Sequence, residues 1–144
     1  MKKVILLFCC TYILAATALA QSPCAEQMRN LPTIYFAEKS ARLSDSIRVK
    51  LTTVAAMMRM NTDCKVVVTG YCASSNKDRQ LSWDRVNAII QKHFIDIEGM
   101  DESRFIFKFG QKGGSCNKVD LRVASPGEKG PSRVDPPYPQ LMRG

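Results

Sequence analysis

The 144-residue chain has one histidine, His93, and one tryptophan, Trp83, and no C-x-x-C spacing. A single histidine without paired cysteines leaves no ligand set of the zinc type, so no metal site is expected, and nothing in the sequence asks for a cofactor. With the cysteines paired, no Ser-His-acid or Cys-His set remains to activate a nucleophile. Glu98, Asp101 and Glu102 cluster as solvated charges would at a helix end, and the residues do not point to an enzyme. His93 reads as a helix side chain at the edge of an apolar face, with no neighbouring group to tune it. Acidic residues are scarce, 13 against 21 Lys and Arg, for a formal net charge of +8. The excess is dispersed and not interleaved with the aromatic residues, so no nucleic-acid partner is expected. Segments of the alternating kind that build barrels are missing too.

The apolar run that does occur is at the start. Lys2 and Lys3 precede apolar residues from Val4 to Ala18, and Ala18-Leu19-Ala20 has the small-x-small form of a signal-peptidase site. Residues 1–20 are therefore expected to be a signal peptide and not a membrane anchor, because the run falls short of the ~20 residues that span a bilayer. The exported chain would begin at Gln21 with no transmembrane segment. Cys9 and Cys10 fall in the leader, which leaves Cys24, Cys64, Cys72 and Cys116. An even number of cysteines in an exported chain predicts two disulfides in an oxidising compartment.

The rest of the chain is organised around residues 66–85, VVVTGYCASSNKDRQLSWDR. Val66, Val67, Val68 and Thr69 are contiguous and β-branched, as in a strand buried on both faces, and Gly70 ends the run. A polar loop follows, then a helix over 81–98 with Val86, Ile89, Ile90, Phe94 and Ile97 as its apolar face. Before it, Thr33 to Phe36 reads as a strand and 44–60 as a helix capped by Ser44 or Asp45. Leu43, Ile47, Leu51, Val54 and Met58 form the stripe of that helix, and Met57, Met58 and Met60 read as core filling. Phe105 to Phe109 is the next strand, Gly110 to Asn117 a Gly-rich turn, and Val119 to Val123 alternates as an edge strand should. Residues 21–31 form an N-terminal segment stapled by Cys24, residues 32–125 the domain, and the Pro- and Gly-rich residues 126–144 a disordered tail. The order β-α-β-α-β-β predicts an α+β fold, an α/β sandwich with two helices packed on a mixed sheet.

Strand direction then decides the cysteine pairing. Cys64 and Cys72 bracket one strand and lie ~26 Å apart, too far to bridge. Right-handed crossovers make the first three strands parallel, so Cys24 and Cys64 share one end of the sheet and Cys72 and Cys116 the other. The expected bridges are Cys24–Cys64 and Cys72–Cys116.

Ile34-Tyr35-Phe36 followed by Ser40 and Leu43, then KVVVTGY, Leu81-Ser82-x-x-Arg85-Val86, Gly99-Met100 and Ser103-Arg104-Phe105, resembles the OmpA-like peptidoglycan-binding domain over residues 32–125. The resemblance implies non-covalent binding of the cell-wall stem peptide at diaminopimelate, in the periplasm or at the outer membrane. It implies that Arg85 forks onto a ligand carboxylate at a site formed with Tyr71, Asp78 and Ser82, while an acid after the central strand holds the ligand ammonium. Ala73 stands where the family has that acid, the loop is about three residues shorter than usual, and Asp78 is the carboxylate nearest to replacing it. Leaving a ligand ammonium unpaired costs ~2–5 kcal/mol. The expected Cys72–Cys116 bridge would also lie across the mouth of this site. The function the resemblance favours is an exported envelope protein binding peptidoglycan, weakly; the alternative is a degenerate module that has lost wall binding and acts as a structural or protein-interaction component beside other envelope proteins.

Overall fold

The computed structural model of the protein describes residues 23–142, so the leader expected over 1–20 lies outside the described residues. A short helix, α1 (Pro23–Gln27), precedes strand β1 (Thr33–Tyr35), helix α2 (Asp45–Met60) and strand β2 (Val66–Tyr71). Helix α3 (Asn76–Asn87) runs on as a π-helical stretch over Ala88–Ile95, and a single 3-10 turn at Glu102–Arg104 leads into strands β3 (Phe105–Gln111) and β4 (Lys118–Val123). The result is the expected mixed α+β fold, helices packed on a four-stranded sheet of order β1-β4-β2-β3.

β2 pairs parallel with β3, while β4 pairs antiparallel with both β1 and β2, so β1, β2 and β3 run in one direction. That places the cysteines in the expected pairs: Cys24–Cys64 with Cα atoms 5.4 Å apart and Cys72–Cys116 at 4.6 Å. Two such bridges suit an oxidising compartment. No helix among the described residues is long and apolar enough to cross a membrane.

Helix α2 forms because Ser44 caps it, its Oγ accepting from the Ile47 N–H, and because Ile47, Leu51, Val54, Ala55 and Met58 share one buried stripe. Val66, Val67 and Val68 are wholly buried. Val66 and Val68 face the helices with Phe105, Phe107, Val119 and Leu121 in one core. Val67 and Ile106, paired side by side, lie on the opposite sheet face.

Five expectations need correction. β4 is an inner strand and not an edge; its alternation reports one face on the core, Val119 and Leu121, and one polar face, Asp120 and Arg122, which an antiparallel inner strand shows equally well. Helix α3 starts at Asn76 and not Leu81, because Ser75 Oγ accepts from the Asp78 N–H and caps it five residues earlier. Its far end widens, the Asp96 N–H reaching the Gln91 carbonyl at 2.9 Å, and this leaves Ile97 57% exposed instead of on the core face. Met60 is 84% exposed beside the buried Met58, so the methionine cluster is only partly core.

The fifth concerns the segment expected to be a disordered tail, which runs against the domain. The Phe107 N–H donates to the Pro131 carbonyl at 2.8 Å, along the free edge of β3, and Trp83 Nε1 donates to the Val134 carbonyl at 2.8 Å. Earlier in the same segment Glu128 lies over the polar sheet face. Its carboxylate accepts from Arg122 Nη1 and Nη2 at 2.8 and 2.7 Å and from the Ser125 N–H at 2.8 Å. Composition does not reveal this, because the bonds that lay the segment on β3 and α3 join residues distant in sequence.

The fork from Arg122, helped by the Ser125 N–H, holds the Glu128 carboxyl down to about 2 from an ordinary value of 4.5. A depressed carboxylate stabilises the fold above the unfolded value, and that contribution is lost as pH falls through about 2. Solvent screening of the half-exposed Arg122 leaves about 1 kcal/mol. Glu128→Gln should therefore lower stability at pH 7 by about 1 kcal/mol and match the parent near pH 2, as read from urea midpoints across that range.

Candidate functional site

The loop that leaves β2 and enters α3 meets two others, the β1–α2 loop and the turn around Cys116, and Arg85 is what joins them. Its side chain projects from α3 and is only 2% exposed. Nε donates to the Ser40 carbonyl at 2.7 Å and Nη2 to the Ala37 carbonyl at 3.0 Å, while Nη1 donates to the Cys116 carbonyl. The guanidinium carbon lies 5.2 Å from the centre of the Phe36 ring. Among the described residues no carboxylate forms an ion pair with it. Burial lowers its pKa from the ordinary arginine value, yet a guanidinium stays charged. The fork expected to grip a ligand carboxylate is thus turned on the protein's own backbone.

The other three expected site residues have different partners. Ser82 is 1% exposed, and its Oγ accepts from the Gly110 N–H at 2.8 Å, tying α3 to the end of β3. A side chain at Gly70 would meet that hydroxyl oxygen at 2.7 Å, so glycine is what lets α3 approach β2. Tyr71 points to the sheet face away from the helices. Its hydroxyl donates to Asp120 Oδ2 at 2.7 Å, and this bond, aided by burial, raises the phenol pKa. Thr33 and Lys118 also reach Asp120, at 2.9 and 3.1 Å. Burial would raise the Asp120 carboxyl, but the bonds from Tyr71, Lys118 and Thr33 outweigh it and hold the pKa low. A Cβ on Gly114 would fall 2.3 Å from the Tyr71 ring, which shows how closely the Cys116 turn covers it.

Asp78 lies in the first turn of α3, where Ser74 Oγ donates to Oδ2 at 2.6 Å and Ser75 joins Ser74 in lowering its pKa. It borders a recess of about 210 Å³ with Lys39, Lys77, Asp84 and Leu141. Ala73, at the position of the family's acid, offers no charge, and Cys72 beside it is held at φ 90°. Arg85, Ser82, Tyr71 and Asp78 thus have four separate sets of partners and do not act on one point.

Two residues that matter here were not singled out from the sequence. Gln80, 1% exposed, donates from Nε2 to Asp84 Oδ1 at 2.8 Å and accepts from the Tyr138 N–H at 2.8 Å, anchoring the C-terminal segment over α3. Trp83 provides the second anchor. The Gln-x-x-x-Asp spacing is a signal for the first contact only. His93 is buried, at 2%, and not at the edge of its face; Nε2 lies 3.3 Å from Glu98 Oε1, and burial lowers its pKa despite that acid. Among the described residues no group of three or more His, Cys, Asp or Glu is arranged to hold a metal ion. In comparisons with known proteins, no family model and no curated protein matches the chain.

Removing Arg85 strips donors from three carbonyls at once, each loss worth about 1–3 kcal/mol where water cannot replace it. Arg85→Ala should lower unfolding free energy by at least about 3 kcal/mol, and Arg85→Lys, which keeps the charge without the planar fork, should recover only part of it. Urea denaturation checks this. A solvated binding arginine would change stability by no more than about 0.5 kcal/mol on the same substitution.

Proposed function

We propose that the chain is an exported, OmpA-like module that has kept the family frame and works as a structural or protein-interaction component of the cell envelope instead of gripping the wall. One observation carries this reading: the Arg85 guanidinium is buried, with donors on the Ala37, Ser40 and Cys116 carbonyls. A ligand carboxylate would have to displace those carbonyls, and one of the loops it would open is bridged by Cys72–Cys116. Ala73 supports the same reading, since it leaves the family's position directly after β2 without an acid to receive a ligand ammonium.

The rival reading, peptidoglycan binding at diaminopimelate, draws on Asp78, whose carboxylate borders an open recess at the start of α3. Co-sedimentation with insoluble peptidoglycan containing diaminopimelate separates the two. The oxidised protein should stay in the supernatant, with Asp78→Ala and Arg85→Lys behaving the same way. Sedimentation of the parent that Asp78→Ala abolishes would establish wall binding and overturn the proposal.

A further inference from the structure

A second cleft, of about 550 Å³, opens between the loop after β1 and the α3 helix where it widens into the π-helical stretch. Lys39, Arg42, Arg48 and Lys92 border it from three separate elements, against the single carboxylate of Asp84. Three exposed arginines elsewhere do find acids: Arg59 meets Glu98, Arg122 meets Glu128 and Arg133 meets Glu102. Arg42, Arg48 and Lys92 form no ion pair among the described residues. Arg48 is oriented all the same, since its Nε donates to the Leu43 carbonyl at 3.2 Å.

The floor of this cleft is apolar. Leu43 and Trp83 line it, and Ile97 and Met142, 57% and 47% exposed, stand at its rim. Ile97 is there because the wide turns of the π-helix take it off the core. Cations converging on a recess with an apolar floor suit an amphiphilic anion, and several cations together favour the nearly double charge and three acceptor oxygens of a phosphate monoester.

We propose that this cleft binds a phosphate monoester carrying an apolar group, its phosphate held by Arg42, Arg48 and Lys92 and its apolar part against Trp83 and Ile97. The cleft adjoins the Arg85 cage at Ser40, but its cations are not part of that cage, and the proposal does not depend on whether the protein binds the wall. Trp83, the only tryptophan, gives a direct readout by fluorescence.

The full oxidised protein would be titrated with octyl phosphate below its micelle-forming concentration, with inorganic phosphate and octyl glucoside as comparisons. Octyl phosphate should bind about tenfold more tightly than either. Arg42→Gln and Lys92→Gln should each weaken it about five- to tenfold, while Lys50→Gln, an exposed α2 residue outside the cleft, leaves it unchanged. These side chains are exposed, so the variants should keep the parent's circular dichroism. Equal affinity for inorganic phosphate, or an equal loss in Lys50→Gln, would overturn the proposal. Flotation with phosphatidic acid vesicles, but not with phosphatidylcholine alone, would identify a lipid headgroup as the source; octyl phosphate binding without flotation would identify a soluble phosphate ester.

Discussion

The buried guanidinium of Arg85 is the constraint on which the upper end of this sheet depends. Three carbonyls from two loops, at Ala37, Ser40 and Cys116, converge on one side chain. Loop carbonyls have no ladder partner, and burying them without donors would be costly. A lysine's three donors all radiate from one nitrogen, whereas arginine spreads its donors over Nε, Nη1 and Nη2 and so reaches three acceptors that lie apart. Taking the cation from water is costly in turn, and the carbonyl cage and the Phe36 ring offset that cost without any acid. The loops so held include backbone that would not persist alone, with Lys39 at φ 54° and Cys72 at φ 90°.

The two disulfides work at opposite ends of the sheet. Cys24–Cys64 closes the end where β2 begins and Cys72–Cys116 the end where it finishes. Both limit the unfolded chain, and both matter more in a domain with so modest a core. The second also fixes one wall of the Arg85 cage, because the Cys116 carbonyl is one of its three acceptors. Bridge and cation therefore reinforce the same loops.

What could be read from the sequence was what depends on near neighbours or on strand direction. The β-branched run of β2, the stripe of α2 and both cysteine pairs follow from spacing and the handedness of crossovers. The position of β4 did not, since alternation reports a covered face and says nothing of lateral neighbours. Nor did the π-helical widening, which moves Ile97 to the surface although its spacing matches a core position. The order of the C-terminal segment is hidden for a related reason. Its anchors, Val134 on Trp83 and Tyr138 on Gln80, join residues 51 and 58 positions apart. The partners of Arg85 lie 31 to 48 positions away. Sequence spacing marked the arginine but not the direction of its fork.

The absence of an acid at Ala73 and the burial of Arg85 make sense together. On the proposed reading, a wall ligand brings both an ammonium and a carboxylate, and a site lacking the acid loses the affinity that would keep its arginine free for the carboxylate. The arginine on α3 still carries a charge that needs oxygen atoms around it. The Ala37, Ser40 and Cys116 carbonyls supply neutral oxygens for that charge, and a loop tied down by Cys72–Cys116 brings one of them permanently within reach. A cation that elsewhere would serve recognition then serves cohesion. On that reading its value is measured by the stability of the loops it joins and not by a ligand it holds.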